Sequence, residues 1–103
     1  MAAKLAHMVY FTLHDPSRAA CAKLLADCHK YLVDHPGVLY FSAGTLVPDL
    51  TRPVNQQFDV ALHVVFESRE AHDCYQLAER HLQFIAENKA SWKQVRVFDA
   101  YVG

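Results

Sequence analysis

Two stretches of this chain alternate with the period of a β-strand yet are apolar on both sides, and that constrains the fold more than any other feature. Between Leu5 and Leu13, the residues Leu5, His7, Val9, Phe11 and Leu13 share one side, while Ala6, Met8, Tyr10 and Thr12 share the other. Between Phe58 and Phe66, the set Phe58, Val60, Leu62, Val64 and Phe66 alternates with Asp59, Ala61, His63 and Val65. Successive side chains of a strand point to opposite faces, so both stretches read as strands. An antiparallel sheet with one wet face alternates more cleanly between apolar and polar than this. Both faces of the sheet therefore need a cover.

The segments between the strands supply a cover for one face. Asp15-Pro16 offers an N-cap and a first-turn proline, and Cys21, Leu24, Leu25, Cys28 and Leu32 follow at helical spacing, which predicts a helix from about Pro16 to Val33. His35-Pro36-Gly37 stops it, and Val38 to Leu46 reads as a second strand, with Leu39 and Phe41 on one side and Val38 and Tyr40 on the other. Residues 47–57, with Pro48 and Pro53, form the long polar loop. Ser68 caps a second helix whose stripe is Ala71, Tyr75, Ala78, Leu82 and Ile85 and which continues to about Asn88. Trp92 to Val102 is the last strand.

The order β-α-β-β-α-β is the ferredoxin-like arrangement of the α+β class, a four-stranded antiparallel sheet with two helices on one face. With no repeat and no linker, residues 1–103 read as a single domain. The helix-free face stays apolar, and the commonest way to bury such a face is a two-fold homodimer. Two sheets packed face to face make an α+β barrel.

Charge and cysteine usage narrow the partners. Ten Lys plus Arg against eleven Asp plus Glu leave a formal charge of −1, with no basic cluster to follow a phosphate backbone, so nucleic acid is not expected. No apolar run approaches the roughly 18 residues of a membrane helix, and the first residues do not form a signal sequence, which predicts a cytoplasmic protein without a membrane partner. Cys21 and Cys28 lie about 10 Å apart along their helix by its rise, beyond the roughly 7 Å limit for a disulfide. The three cysteines are expected to be reduced, and without a CxxC or HxxxH pair no metal site and no cofactor are expected.

Seven histidines carry the chemical interest. His7 sits on the helix-facing side of strand 1, and His81 falls among Leu77, Leu82, Phe84 and Ile85 near Tyr75. A buried imidazole needs a partner and titrates near neutrality, so these three side chains could polarise a carbonyl or move a proton. His29, His35 and His72 are expected on solvated surfaces or turns, His63 on the face towards the barrel interior. Asp99 reads as a structurally paired acid and Trp92 as a packing anchor.

Five segments in order, Ala6-His7-Met8-Val9-Tyr10-Phe11, His35-Pro36-Gly37-Val38, Val64-Val65-Phe66-Glu67-Ser68, Tyr75 with His81 and Phe84, and Val95-Arg96-Val97-Phe98-Asp99, resemble the stress-responsive A/B barrel (Dabb) family. The resemblance spans nearly the whole chain. It implies a dimeric α+β barrel and, for most members, no established activity. A plant polyketide cyclase of the family works without metal or cofactor, and its residue roles would place a general base on His81, a tyrosine on Tyr75, the strand 1 histidine on His7 and a further pocket histidine on Val60. The family pattern Tyr-x-x-His-Pro-x-His departs here, because Ala78-Glu79 replaces His-Pro. In an unbroken helix a spacing of six turns Tyr75 and His81 about 120° apart, so without the proline the two side chains are expected to diverge.

The expectation is then a small-molecule-binding protein of this family, with an apolar cavity between sheet and helices lined by His7, Val9, Val60, Tyr75, His81 and Phe84 and taking an apolar or carbonyl-containing ligand. The alternatives are a cofactor-independent lyase or cyclase with His81 as base, and a non-catalytic structural oligomer.

Overall fold

The computed structural model describes residues 3–103. Strands β1 (Lys4–Leu13), β2 (Val38–Thr45), β3 (Val60–Phe66) and β4 (Trp92–Val102) form one sheet in the order β2-β3-β1-β4, with every neighbouring pair antiparallel. Helices α1 (Arg18–Tyr31), α2 (Arg69–Leu77) and α3 (Glu79–Asn88) lie with a short 3-10 turn, Lys89–Ser91, in the expected chain order. This is the ferredoxin-like fold, with the second helix of the sequence reading split in two. No helix among the described residues is long and apolar enough to cross a membrane.

Register explains which side chains make the core. Leu5, His7, Val9 and Phe11 stand opposite Phe66, Val64, Leu62 and Val60, and all eight are buried under the helices. On the other side of β1, the same residues meet Tyr101, Asp99, Val97 and Val95 of β4. The helices do not extend over β4, where Val97 is 49% and Tyr101 63% exposed. The second strand departs from the simple alternation, because a bulge between Val38 and Tyr40 puts Val38 opposite Phe66 and Phe41 opposite Val64, both on the helix side. Strand β3 starts at Val60 rather than Phe58, since the Asp59 N–H donates to the Phe11 carbonyl and its carboxylate accepts from the Leu13 N–H.

Helix α1 starts later than Asp15-Pro16 suggests. Ser17 is the N-cap, its hydroxyl accepting from the Ala20 N–H, while Asp15 accepts from the Ser17 N–H and hydroxyl one step upstream. At the other end, Gly37 has φ +84°, and a Cβ built on it would stand 2.5 Å from the Ala71 side chain, so the turn into β2 admits no larger residue.

The break between α2 and α3 shapes everything that follows. Ala78 takes φ −63° and ψ 140°, an extended conformation with no side-chain cap. Neither proline nor glycine marks it. An unbroken helix would bury Leu82 beneath Tyr75; instead Leu82 is 51% exposed, and His81, Phe84 and Asn88 face inward. The new phase is held by contacts with α1. Arg80 donates to the carbonyls of Lys30 and Val33 just where α1 runs out of its own partners. Asn88 donates to Asp27, and Tyr31 to Glu87.

Candidate functional site

Strand β1 delivers His7 to the helix side, α2 delivers Tyr75, and the restart at Glu79 delivers His81. The Tyr75 and His81 rings pack with centroids 4.6 Å apart, and the His7 ring lies 6.0 Å from that of Tyr75. The divergence expected from the missing His-Pro does not occur, because the chain breaks at Ala78 without a proline. All three side chains are buried.

They border a cavity of about 150 Å³ between sheet and helices, with Val9, Phe84 and Trp92 among its walls. Val60, expected there, is fully buried in the core and does not line it. Leu62, which stands opposite Val9 one register pair closer, takes that position. Val95 and Val97 of the uncovered strand β4 form the rim.

The polar groups in this apolar surround are few and distinct in state. The Tyr75 hydroxyl and His81 Nδ1 are both buried and neither has a hydrogen-bond partner in the protein. Burial pushes the Tyr75 phenol well above its ordinary range, so it stays protonated. Burial, with the nearby imidazole of His7 adding to it, pushes His81 down to about 4 despite an opposing hydrogen bond to the Gln76 backbone, so at neutral pH its ring is uncharged. An uncharged acid and an uncharged base thus share one cavity wall.

His7 is the partnered member of the set. Its Nδ1 donates to Asp99 at 2.5 Å across the β1–β4 ladder, which fixes the proton on Nδ1. Burial lowers its pKa, outweighing the hydrogen bond to Asp99 and its charge.

Two further histidines join the cluster. His35, expected on a solvated turn, is buried, donates from Nε2 to the Tyr31 carbonyl at 2.7 Å and packs edge-on against Tyr75 at 4.9 Å. His72, expected on a solvated helix surface, lies 5.1 Å from the His7 ring. The turn sequence around His35 hid its burial; the place of His72 one turn before Tyr75 was the signal available for the second. Cys28 is buried as expected, its thiol pushed up to about 12 by desolvation, which removes it as a nucleophile.

A fold of this topology with its helix-side cavity defines a ferredoxin-like α+β protein. The chain belongs to the stress-responsive A/B barrel domain family, whose model matches residues 5–102. No curated protein is similar enough in sequence to count as a relative. Solved structures share the fold at low identity. A Dabb family protein from Mesorhizobium loti is 21% identical with a TM-score of 0.78, over 98% of this chain and 97% of that one. A dimeric ferredoxin-like protein of unknown function from Thermobifida fusca is 14% identical with a TM-score of 0.81, over 99% and 93%. The hydroxynitrile lyase of Passiflora edulis is 15% identical with a TM-score of 0.82, over 100% and 96%.

Proposed function

We propose that the cavity takes a small carbonyl compound about the size of one aromatic ring and exchanges a proton with it, in the manner of a cofactor-independent lyase. The observation that carries this reading is the pair Tyr75 Oη and His81 Nδ1, both buried without protein partners on rings whose centroids lie 4.6 Å apart, at the wall of a mostly apolar space. Leaving a buried polar group unsatisfied costs about 1–3 kcal/mol. A ligand oxygen accepting from Tyr75 and a ligand proton facing His81 would relieve both.

In the reaction, His81 Nδ1 removes a proton from the carbon beside the carbonyl and the electron pair moves to the oxygen held by Tyr75. With a hydroxyl substrate it removes the O–H proton, the adjacent carbon–carbon bond breaks as the carbonyl forms, and the departing carbanion is the product that takes the proton. The imidazolium so formed returns the proton to product. A base near 4 is weak at the outset, but the oxyanion developing beside it raises its proton affinity as the transfer proceeds. His7, pinned by Asp99, borders the same space and orients the ligand.

Volume favours the lyase over the cyclase alternative. A cavity near 150 Å³ holds a molecule such as benzene, and sites for larger ligands run to about 300–1,000 Å³. A space of this size matches a small aldehyde or ketone better than an extended polyketide chain. That a hydroxynitrile lyase is built on this fold accords with the reading and, at 15% identity, adds only the scaffold. The non-catalytic oligomer gives no reason for the orphaned polar atoms of Tyr75, His81 and Trp92 around one cavity. A homodimer through the helix-free sheet face and a cytoplasmic location, consistent with three free cysteines, complete the proposal.

Trp92, the single tryptophan, borders the cavity and reports on its contents. Titration with benzaldehyde- and acetophenone-sized compounds should change its emission, and NMR should show deuterium entering the α-carbon of a bound ketone. His81→Ala should slow that exchange by about 100-fold or more. Unchanged emission across such a series, or equal exchange in His81→Ala, rejects the proposal.

A further inference from the structure

His7 borders the cavity of Tyr75 and His81 and also stands against His72 and Asp99. On the side away from Tyr75 and His81, a cleft of about 220 Å³ opens between β1, β4 and the first turn of α2, bordered by Leu5, Arg69, His72, Asp99 and Tyr101. Strand register sets Asp99 directly opposite His7, and α2 lays His72 over both. One ligating atom from each of His7, His72 and Asp99 lies within 4.8 Å of the other two.

We propose that His7, His72 and Asp99 form a binding site for a divalent transition-metal ion of the zinc, iron or cobalt type, with the cleft supplying its open coordination positions. Two imidazoles and one carboxylate suit these ions, whereas magnesium and calcium favour all-oxygen sites. Two of the three protein ligands, His72 and Asp99, line the cleft, which leaves room for water or a further ligand, as in metal sites that do chemistry.

A second observation concerns how His72 is held. Its Nδ1 lies 3.1 Å from the Asp73 carboxylate, the arrangement that fixes a proton on Nδ1 and leaves the Nε2 lone pair for a metal. Gln76 Nε2 donates to that Nε2 at 3.3 Å and would have to turn away. The charges also balance in favour of a cation: Asp99 and Asp73 line the cleft with one Arg69, which already pairs with Asp73 at 3.7 Å. The ion would take the place of the proton that His7 Nδ1 shares with Asp99, and that proton would move to Nε2 of the same ring, so no proton is released at His7. Asp99 can adjust, since its side chain is 42% exposed.

The test uses tag-free protein freed of metal by a chelator, titrated with Co²⁺ as a spectroscopic probe and then with Zn²⁺ in competition. The expected result is one Co²⁺ per chain with visible ligand-field bands that Zn²⁺ removes. His72→Gln and Asp99→Asn should each weaken binding by about 10-fold or more, while His29→Ala, on exposed helix surface, should not. His72 does not line the cavity, so the Trp92 emission response to carbonyl compounds should survive in His72→Gln, which separates failure of this site from failure of the cavity reading. No saturable Co²⁺ binding by the wild type, or binding unchanged in both variants, overturns the proposal.

Discussion

The unpartnered Tyr75 hydroxyl and His81 Nδ1 make opposite demands on stability and function. Tyr75→Phe removes a buried hydroxyl that has no protein partner, so the variant should be more stable by about 1 kcal/mol, read as a higher midpoint in urea, while its affinity for carbonyl ligands falls. His81 adds a pH signature. Its pKa drops from 6.5 to about 4 on folding, so below 6.5 the unfolded chain binds the proton more readily and stability declines as pH falls from 6.5 to 4, flattening below that. His81→Phe should reduce this slope, and activity in the wild type should persist down to about pH 4 because the base stays uncharged. Tyr75, His81 and His7 were legible from face, spacing and family pattern together. His35 and His72 were not, because a turn residue and a helix residue flanked by Asp73 look solvated until the packing of α2 against β1 is known.

At the scale of elements, the break at Ala78 is the feature the chain's local chemistry did not announce. Leu82 and Ile85 continue the stripe of Tyr75, so periodicity favours one helix. Contacts distant in sequence decide otherwise, above all Arg80 reaching the end of α1. Arg80→Ala should cost about 1–2 kcal/mol, by loss of charged hydrogen bonds to two carbonyls, and should weaken ligand binding as His81 loses its fixed phase. The break also gives meaning to the family's proline. It falls at Glu79, the first residue of α3, preceded by a residue already extended at ψ 140°. Proline suits that position and its predecessor. Glu79→Pro should therefore be neutral or stabilising by about 0.4–1 kcal/mol, where a proline inside a continuous helix would cost about 3 kcal/mol. Chemical denaturation distinguishes the two outcomes.

For the molecule as a whole, the apolar alternation of β1 and β3 led directly to the fold, since helices cover one face of the sheet and leave the other bare. Tyr10 on that bare face packs against Phe58 and Phe98 with centroids 5.1 and 5.9 Å apart, around a concavity of about 560 Å³. Phe98 remains 52% exposed and Tyr40 51%. A domain this small gains from burying such surface, and a copy of the same face would close the concavity into a barrel interior. Light scattering should then give about twice the 11.7 kDa chain mass. Phe98→Asp would place an unpaired charge in the seam, at a cost of about 3–5 kcal/mol per buried charge, and should yield monomers of lower stability. The proposed ligand cavity lies on the opposite face, with its walls of His7, Val9, Tyr75, His81 and Phe84 contributed by this chain. Carbonyl binding should accordingly persist in the Phe98→Asp monomer, whereas a dimer unaffected by Phe98→Asp would place the seam elsewhere, with the uncovered helix side of β4 the next surface to test.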